Sequence, residues 1–353
     1  MESDLSRHVS SFLYQDRAKE ILPDFKGLSA CLHGVIPFAS AHIRFSPTFN
    51  RHGYGGLCRC GSSWVCVPCA VKVSMHRAEE LRSIIAGMRS LFPGSVVSFV
   101  TLTCPHSFGD DVALLRKRIS NSLRHFFHSR FFRSFVDCYG LFGAVHRVRA
   151  FESTYGKNGF HPHFHLVFFT SSDFSLEYQA FLYQWQRSCV KYGLGEPNGR
   201  GLEIKVVAAG CDDDEVSWYC SKWGLYCEMT GHSMKTGRNG SLSALELLRL
   251  SMDEPGVNGR FARLFRSYAL AFKGVHQLDF TNGLRELVGL KVRTDEEIAS
   301  DGADSVVRRI LSPEEWRCIR SRRFRGQILD FCDSGASDAD LNNLLFALLS
   351  EEI

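Results

Sequence analysis

The sequence predicts an α+β fold: an antiparallel β-sheet flanked by helices, with a cysteine-rich element before it and a small helical region after it. Three observations carry this expectation. Strand-like runs occur in hairpin order with amphipathic helices between them, rather than in the strict alternation that builds a parallel sheet. The stretch from Val145 to Phe169 holds two such runs around Asn158-Gly159, a strong tight-turn signal. Four cysteines, Cys58, Cys60, Cys66 and Cys69, fall close together ahead of a helical pattern.

The elements divide the chain into four segments. Residues 1–50 read as a leader of short amphipathic stretches with little chemistry. Residues 51–94 hold the cysteines and a helix from Lys72 to Leu91, in which Val73, Ala78, Leu81, Ile84, Ile85 and Met88 recur at helical spacing until Pro93-Gly94 ends it. Residues 95–290 form the main domain. It opens with a β-branched strand, Val96 to Thr103. A basic amphipathic helix, Leu114 to Phe132, follows. Beyond the hairpin come a helix from Leu176 to Lys191, a strand within 201–208, a helix from Asp213 to Leu225, and helices at 242–252 and 259–272. Residues 291–353 read as an acidic, mostly helical region.

Composition narrows the class. In 353 residues, 44% hydrophobic and 23% charged content suits a soluble globular chain large enough for two or three units. No apolar stretch approaches the roughly 20 residues of a membrane span, and Met1-Glu2-Ser3-Asp4 lacks the features of a signal peptide. Thirteen cysteines, an odd number, predict reduced thiols and a cytoplasmic location. The net charge of +4 hides an asymmetry: residues 51–150 carry 14 Lys/Arg against 5 Asp/Glu, and residues 295–353 carry 7 against 13. A basic body suggests a polyanionic partner such as nucleic acid.

The most informative run is His161-Pro162-His163-Phe164-His165. Side chains alternate along a strand, so the three histidines share one face while Phe164, Leu166 and Phe168 fill the other. With Asn158-Gly159 as the two-residue turn, Glu152 on the preceding strand stands opposite His165, on the histidine face. His163, His165 and Glu152, with His161 close behind, are therefore the expected ligands of a divalent metal. Nitrogen and oxygen donors without thiolate suit Mg or Mn in an open site, and Zn is also compatible.

A second constellation is Glu215, Tyr219 and Lys222. On a helix, residues at spacings of four and three share a face. A tyrosine beside a lysine and near a divalent metal can attack phosphorus, with Glu215 taking the proton or activating a water. In the cysteine run, Cys66-Val67-Pro68-Cys69 with Cys58 and Cys60 can close a tetrahedral structural Zn site. Cys58 and Cys60 are close for paired ligands. If one is spare, His52 or His76 is the alternative fourth ligand.

Together these pieces resemble the rolling-circle plasmid replication initiators of the HUH endonuclease superfamily, in the single-tyrosine branch. The resemblance spans roughly 56–290 and rests on 60–69, Phe99-Val100-Thr101-Leu102-Thr103, 161–165, 219–224 and the run 265–274, in that order. It implies an HUH-type antiparallel sheet carrying the histidines, with His163 and His165 as metal ligands and Tyr219 as nucleophile. It also implies that Glu215 assists hydrolysis at termination. Lys222-Trp223 stands where many members have Lys-Tyr, so a second nucleophile close to Tyr219 is missing, unless Tyr226 serves. The implied function is site-specific nicking and joining of a single strand at a plasmid or phage origin through a 5′-phosphotyrosyl link. Host polymerase and helicase are the implied partners. Rival readings are an HUH-type transposase, a histidine-triad nucleotide phosphohydrolase and a non-enzymatic zinc DNA-binding protein.

Overall fold

The computed structural model describes residues 6–207 and 240–350. Within these, the strands are β1 His42–Ser46, β2 Arg51–Gly55, β3 Val96–Thr103, β4 His146–Gly156, β5 Gly159–Thr170, β6 Leu202–Val207, β7 Leu278–Phe280 and β8 Val306–Ile310. The helices up to residue 207 are α1 Arg7–Ile21, α2 Lys26–Ala30, α3 Val67–Leu91, α4 Val112–Phe127, α5 Arg130–Tyr139 and α6 Tyr178–Lys191. Later helices are given by their residues. The described chain forms two compact units, one from 6–73 and 293–350, the other from 74–207 and 240–292, with the boundary inside α3.

The first unit joins the two ends of the chain. β1 lies between β2 and β8 in a three-stranded antiparallel sheet. The leader and the acidic C-terminal region, separate segments in the sequence reading, thus share one sheet. Their pairing is set by hydrogen bonds across some 260 residues of sequence, which no local pattern records. Ser6 caps α1 by accepting from the Val9 amide. The helix Arg325–Asp333 packs on α1 so closely that a Cβ at Gly326 would stand 2.5 Å from Val9 Cα. Arg325, 1% exposed, is paired with Asp16, donates to Gln15 Oε1 at 2.8 Å and to the Leu32 carbonyl at 3.3 Å, and lies over the Phe12 ring. A charge buried that deeply is tolerated only with such partners, and of its three nitrogens Nε alone lacks one.

The second unit is built on a five-stranded antiparallel sheet in the order β6-β3-β5-β4-β7. β5 sits at its centre. One face carries Val97, Phe99, Val148, Ala150, Val167 and Phe169, which pack against Leu81, Ile84, Ile85 and Met88 of α3. These α3 positions follow the spacing that predicted the helix. The other face carries Phe151, Phe164, Leu166 and Phe168, all fully buried. Phe168 packs edge-on against Phe127 and Phe135, and Phe151 against Phe272 of the helix Arg260–Phe272.

Two local expectations change. The single helix expected from Leu114 to Phe132 is two, because the Ser129 side chain accepts from the Phe132 amide and starts α5 afresh. The hairpin turns on Lys157-Asn158, not Asn158-Gly159, with Gly156 paired to Gly159. Gly159 takes the left-handed conformation (φ 88°) just after the turn, a position that favours glycine. The register therefore shifts by two residues: Glu152 faces His163, not His165. A shift of two preserves the face, whereas a shift of one would have sent Glu152 to the phenylalanine side.

Candidate metal centre

On the histidine face of β5, Val167 and Phe169 belong to the apolar cluster that α3 helps to form. Toward the hairpin the same face presents His165, His163 and His161. Glu152 of β4 stands beside His163, and Thr101 and Thr103 of β3 stand beside His165 and His163. One donor atom each from Glu152, His163 and His165 falls within 4.8 Å of the others. Glu152 Oε2 is 3.3 Å from His163 Nε2 and 3.7 Å from His165 Nε2. Ligands about 2.1 Å from one divalent ion lie about 3.0–3.4 Å apart in octahedral or tetrahedral arrangements. The three donors therefore fit a shared cation with small adjustment, and a set of three leaves further coordination positions for water or a substrate oxygen.

The orientation of both imidazoles is set from behind. His163 Nδ1 donates to the His161 carbonyl at 3.0 Å, so Nε2 is the nitrogen turned to Glu152, donating to it when protonated and free to take a cation when not. Thr101 Oγ1 lies 3.1 Å from His165 Nδ1. In the tautomer able to bind a metal, Nδ1 donates to that hydroxyl and Nε2 is again unprotonated. Such partners behind a ligand fix its tautomer and raise its basicity. Burial pushes the Glu152 carboxyl up, but hydrogen bonds from His163 and His165 outweigh it and hold the group well below the ordinary carboxylate range. Burial opposes charge on His163, yet the Glu152 contact raises it above its usual 6.5.

His161, also expected as a ligand, is not part of this group. Its Nδ1 lies 3.3 Å from Nδ1 of His106, on the loop after β3. Burial, then His163 and His106, pull it down to about 3, so it is neutral. Proline at 162 does not disturb the alternation, and the side chain still lies on the histidine face. It sits one step too far along the strand, opposite Thr154. Glu215, Tyr219 and Lys222 lie outside the described residues. Sequence reading missed His106 and the role of Thr101. The β-branched run did mark Thr101 as a strand residue, but only the β3–β5 register shows that it faces His165.

The cysteines form a second group in the first unit. It consists of Cys31, Cys60, Cys66 and Cys69, with one sulfur from each within 4.8 Å of the rest. Cys58, expected as a ligand, is outside it, and so are the alternatives His52 and His76. The backbone explains the exchange: Leu32 N donates to Cys58 O at 2.9 Å and Cys58 N to Gly34 O at 2.8 Å. This ladder brings the segment after α2, with Cys31, alongside the cysteine loop. His52 is held instead by Asp333, at 2.7 Å from its Nδ1. Cys31 stands 27 residues before the cysteine run, with no local pattern to flag it.

No described helix is long and apolar enough to cross a membrane. No family model and no solved structure matches the chain. The chain is similar to "Protein rep" of Streptomyces lividans, with 24% identity over 349 aligned positions that cover 76% of this chain and 76% of that protein.

Proposed function

We propose that this chain is a Rep-type replication protein that nicks and rejoins one DNA strand at a rolling-circle origin. The observation that carries the reading is the Glu152–His163–His165 group on the central, antiparallel strands of the second unit. The similarity to a protein named rep supports it independently. A divalent cation held by the three donors would polarise the scissile phosphodiester and offset charge developing on it. Tyr219 supplies the nucleophile: its phenolate oxygen attacks phosphorus, the P–O bond to the 3′ oxygen breaks, and that oxygen leaves as a 3′-OH after taking a proton. The 5′-phosphate stays on the tyrosine, so the bond energy is kept and a later 3′-OH can reverse the step without ATP. Lys222 offsets charge on the phosphate. Glu215 takes the phenol proton or, at termination, activates a water. The 3′-OH primes a host polymerase.

A histidine-triad hydrolase would need its middle histidine directed at phosphorus. Here that residue is His163, 9% exposed and turned onto Glu152, which disfavours that alternative.

The test incubates a labelled single-stranded origin oligonucleotide with protein and Mn²⁺ and resolves the products on a denaturing gel. A protein-linked band is expected with the wild type and not with Tyr219→Phe, with cleavage reduced ~10³-fold or more. Equal cleavage by both proteins would overturn the assignment of Tyr219.

A further inference from the structure

The cysteine group reaches beyond the nicking reading and does not depend on it. We propose that Cys31, Cys60, Cys66 and Cys69 bind a single Zn²⁺ as four thiolates, and that this ion ties the two ends of the chain into one folded unit.

The sulfur geometry selects a mononuclear site. Four sulfurs about 2.3 Å from one tetrahedral ion lie about 3.8 Å from each other. The observed separations are 3.5 Å for Cys31–Cys69, 3.6 Å for Cys31–Cys66 and 3.8 Å for Cys60–Cys69. A disulfide would need about 2.05 Å. A multi-iron cluster places bridging sulfides between its irons, so its cysteines stand further apart than one ion's ligands. Tetrahedral sulfur donors suit zinc.

The surroundings fit a negatively charged tetrathiolate. Gln15 Nε2 donates to Cys66 Sγ at 3.2 Å. Lys19 Nζ donates to the Cys31 carbonyl at 2.9 Å. Gln15 cannot turn away from the sulfur, because its carbonyl oxygen is held by Arg325 of the C-terminal helix at 2.8 Å. Cys66, Gln15 and Arg325 thus form one hydrogen-bonded path from the cluster's ligand through α1 to the C-terminal region. Cys31 brings the α2 segment, and Cys66 and Cys69 stand at the start of α3. Because such a cage exists only in the folded chain, binding free energy becomes folding free energy.

The experiment uses the full chain, purified without added metal, with zinc and iron measured by elemental analysis. About one zinc per chain is expected in the wild type and in Cys58→Ser, and a roughly tenfold or greater loss in Cys31→Ser. If Cys31→Ser fails to fold, wild type and Cys58→Ser are reconstituted with Co²⁺. Both should then show the same thiolate-to-cobalt absorption at one equivalent. Chelation should open both 6–73 and 293–350 to protease together. Zinc retained by Cys31→Ser, zinc lost from Cys58→Ser, iron in place of zinc, or cleavage of one end alone would each overturn the proposal.

Discussion

The two donor groups are built oppositely. Cys31, Cys66 and Cys69 are at most 1% exposed, and four sulfurs close a shell on all sides. The Glu152 and His165 side chains are each 23% exposed, and three donors leave one side open. The cysteines come from elements far apart in sequence, so occupancy there holds the fold. The imidazoles and carboxylate come from one hairpin whose strands are already fixed by eleven backbone pairs and two buried faces. Occupancy there adds little to the fold and is available for chemistry. A closed shell of soft donors and an open set of nitrogen and oxygen donors are the signatures of structural and reactive sites respectively.

This contrast can be broken in stages. His163→Ala is expected to remove metal binding and lower nicking ~10³-fold or more, while the melting temperature moves by only about 5 °C. Cys66→Ser should do the reverse to the fold. Zinc binding of about 10 kcal/mol is comparable to the whole stability of a typical domain. The first unit should therefore unfold, as read by circular dichroism and proteolysis. If His163→Ala melted the protein as severely as Cys66→Ser, the distinction between the groups would fail.

A smaller effect sharpens the same point. Thr101→Val keeps the shape of the side chain but removes the oxygen at His165 Nδ1. Metal affinity, followed by Mn²⁺ titration, should weaken ~10–100-fold, and Thr101→Ser should restore most of it. No change on Thr101→Val would mean that contacts other than the Thr101 hydroxyl orient His165.

The smallest effect is graded with pH. His163 is raised above 6.5 by Glu152, and a protonated imidazole cannot bind a cation. Metal affinity should therefore be complete above that raised value and decline as pH falls through it. The metal-free fold responds with the opposite sign. The His163–Glu152 contact contributes fully below 6.5, and that stabilisation fades as pH rises through the raised value. The Glu152 part is lost only in strong acid, as pH falls through a carboxyl held far below its usual 4.5. Isothermal titration with Mn²⁺ across neutral pH reads the first trend and urea unfolding of the metal-free protein reads the second. A metal-binding midpoint below 6.5 would contradict the assigned coupling.

The charge asymmetry shows how composition can mislead about a surface. Of the arginines in 51–150, Arg77 is buried against Glu80, Arg149 meets Asp279, and Arg147 lies over the Phe127 ring. In the C-terminal region Asp301 meets Arg293, Asp333 meets His8 and His52, and Glu315 meets Arg309. Part of the apparent basic body and acidic tail is internal pairing. A count along the chain cannot separate that from free charge.

By itself the sequence determined what depends on neighbours along the chain. Alternation on β5 put three histidines on one face and phenylalanines on the other. The spacing on α3 gave its buried stripe, and a turn signal between two strands gave a hairpin with Glu152 on the histidine face. Parity protected that last inference even though the turn was misplaced, because a two-residue slip does not change faces. Tertiary structure decided everything that needed a partner from elsewhere. It left His161 outside the Glu152–His163–His165 group by one strand step and placed Thr101 behind His165 through β3 pairing. It exchanged Cys58 for Cys31 through a backbone ladder, and it joined both chain ends through β1–β8. Those choices rest on register and on hydrogen bonds between distant segments, whose energies depend on positions that local sequence does not encode.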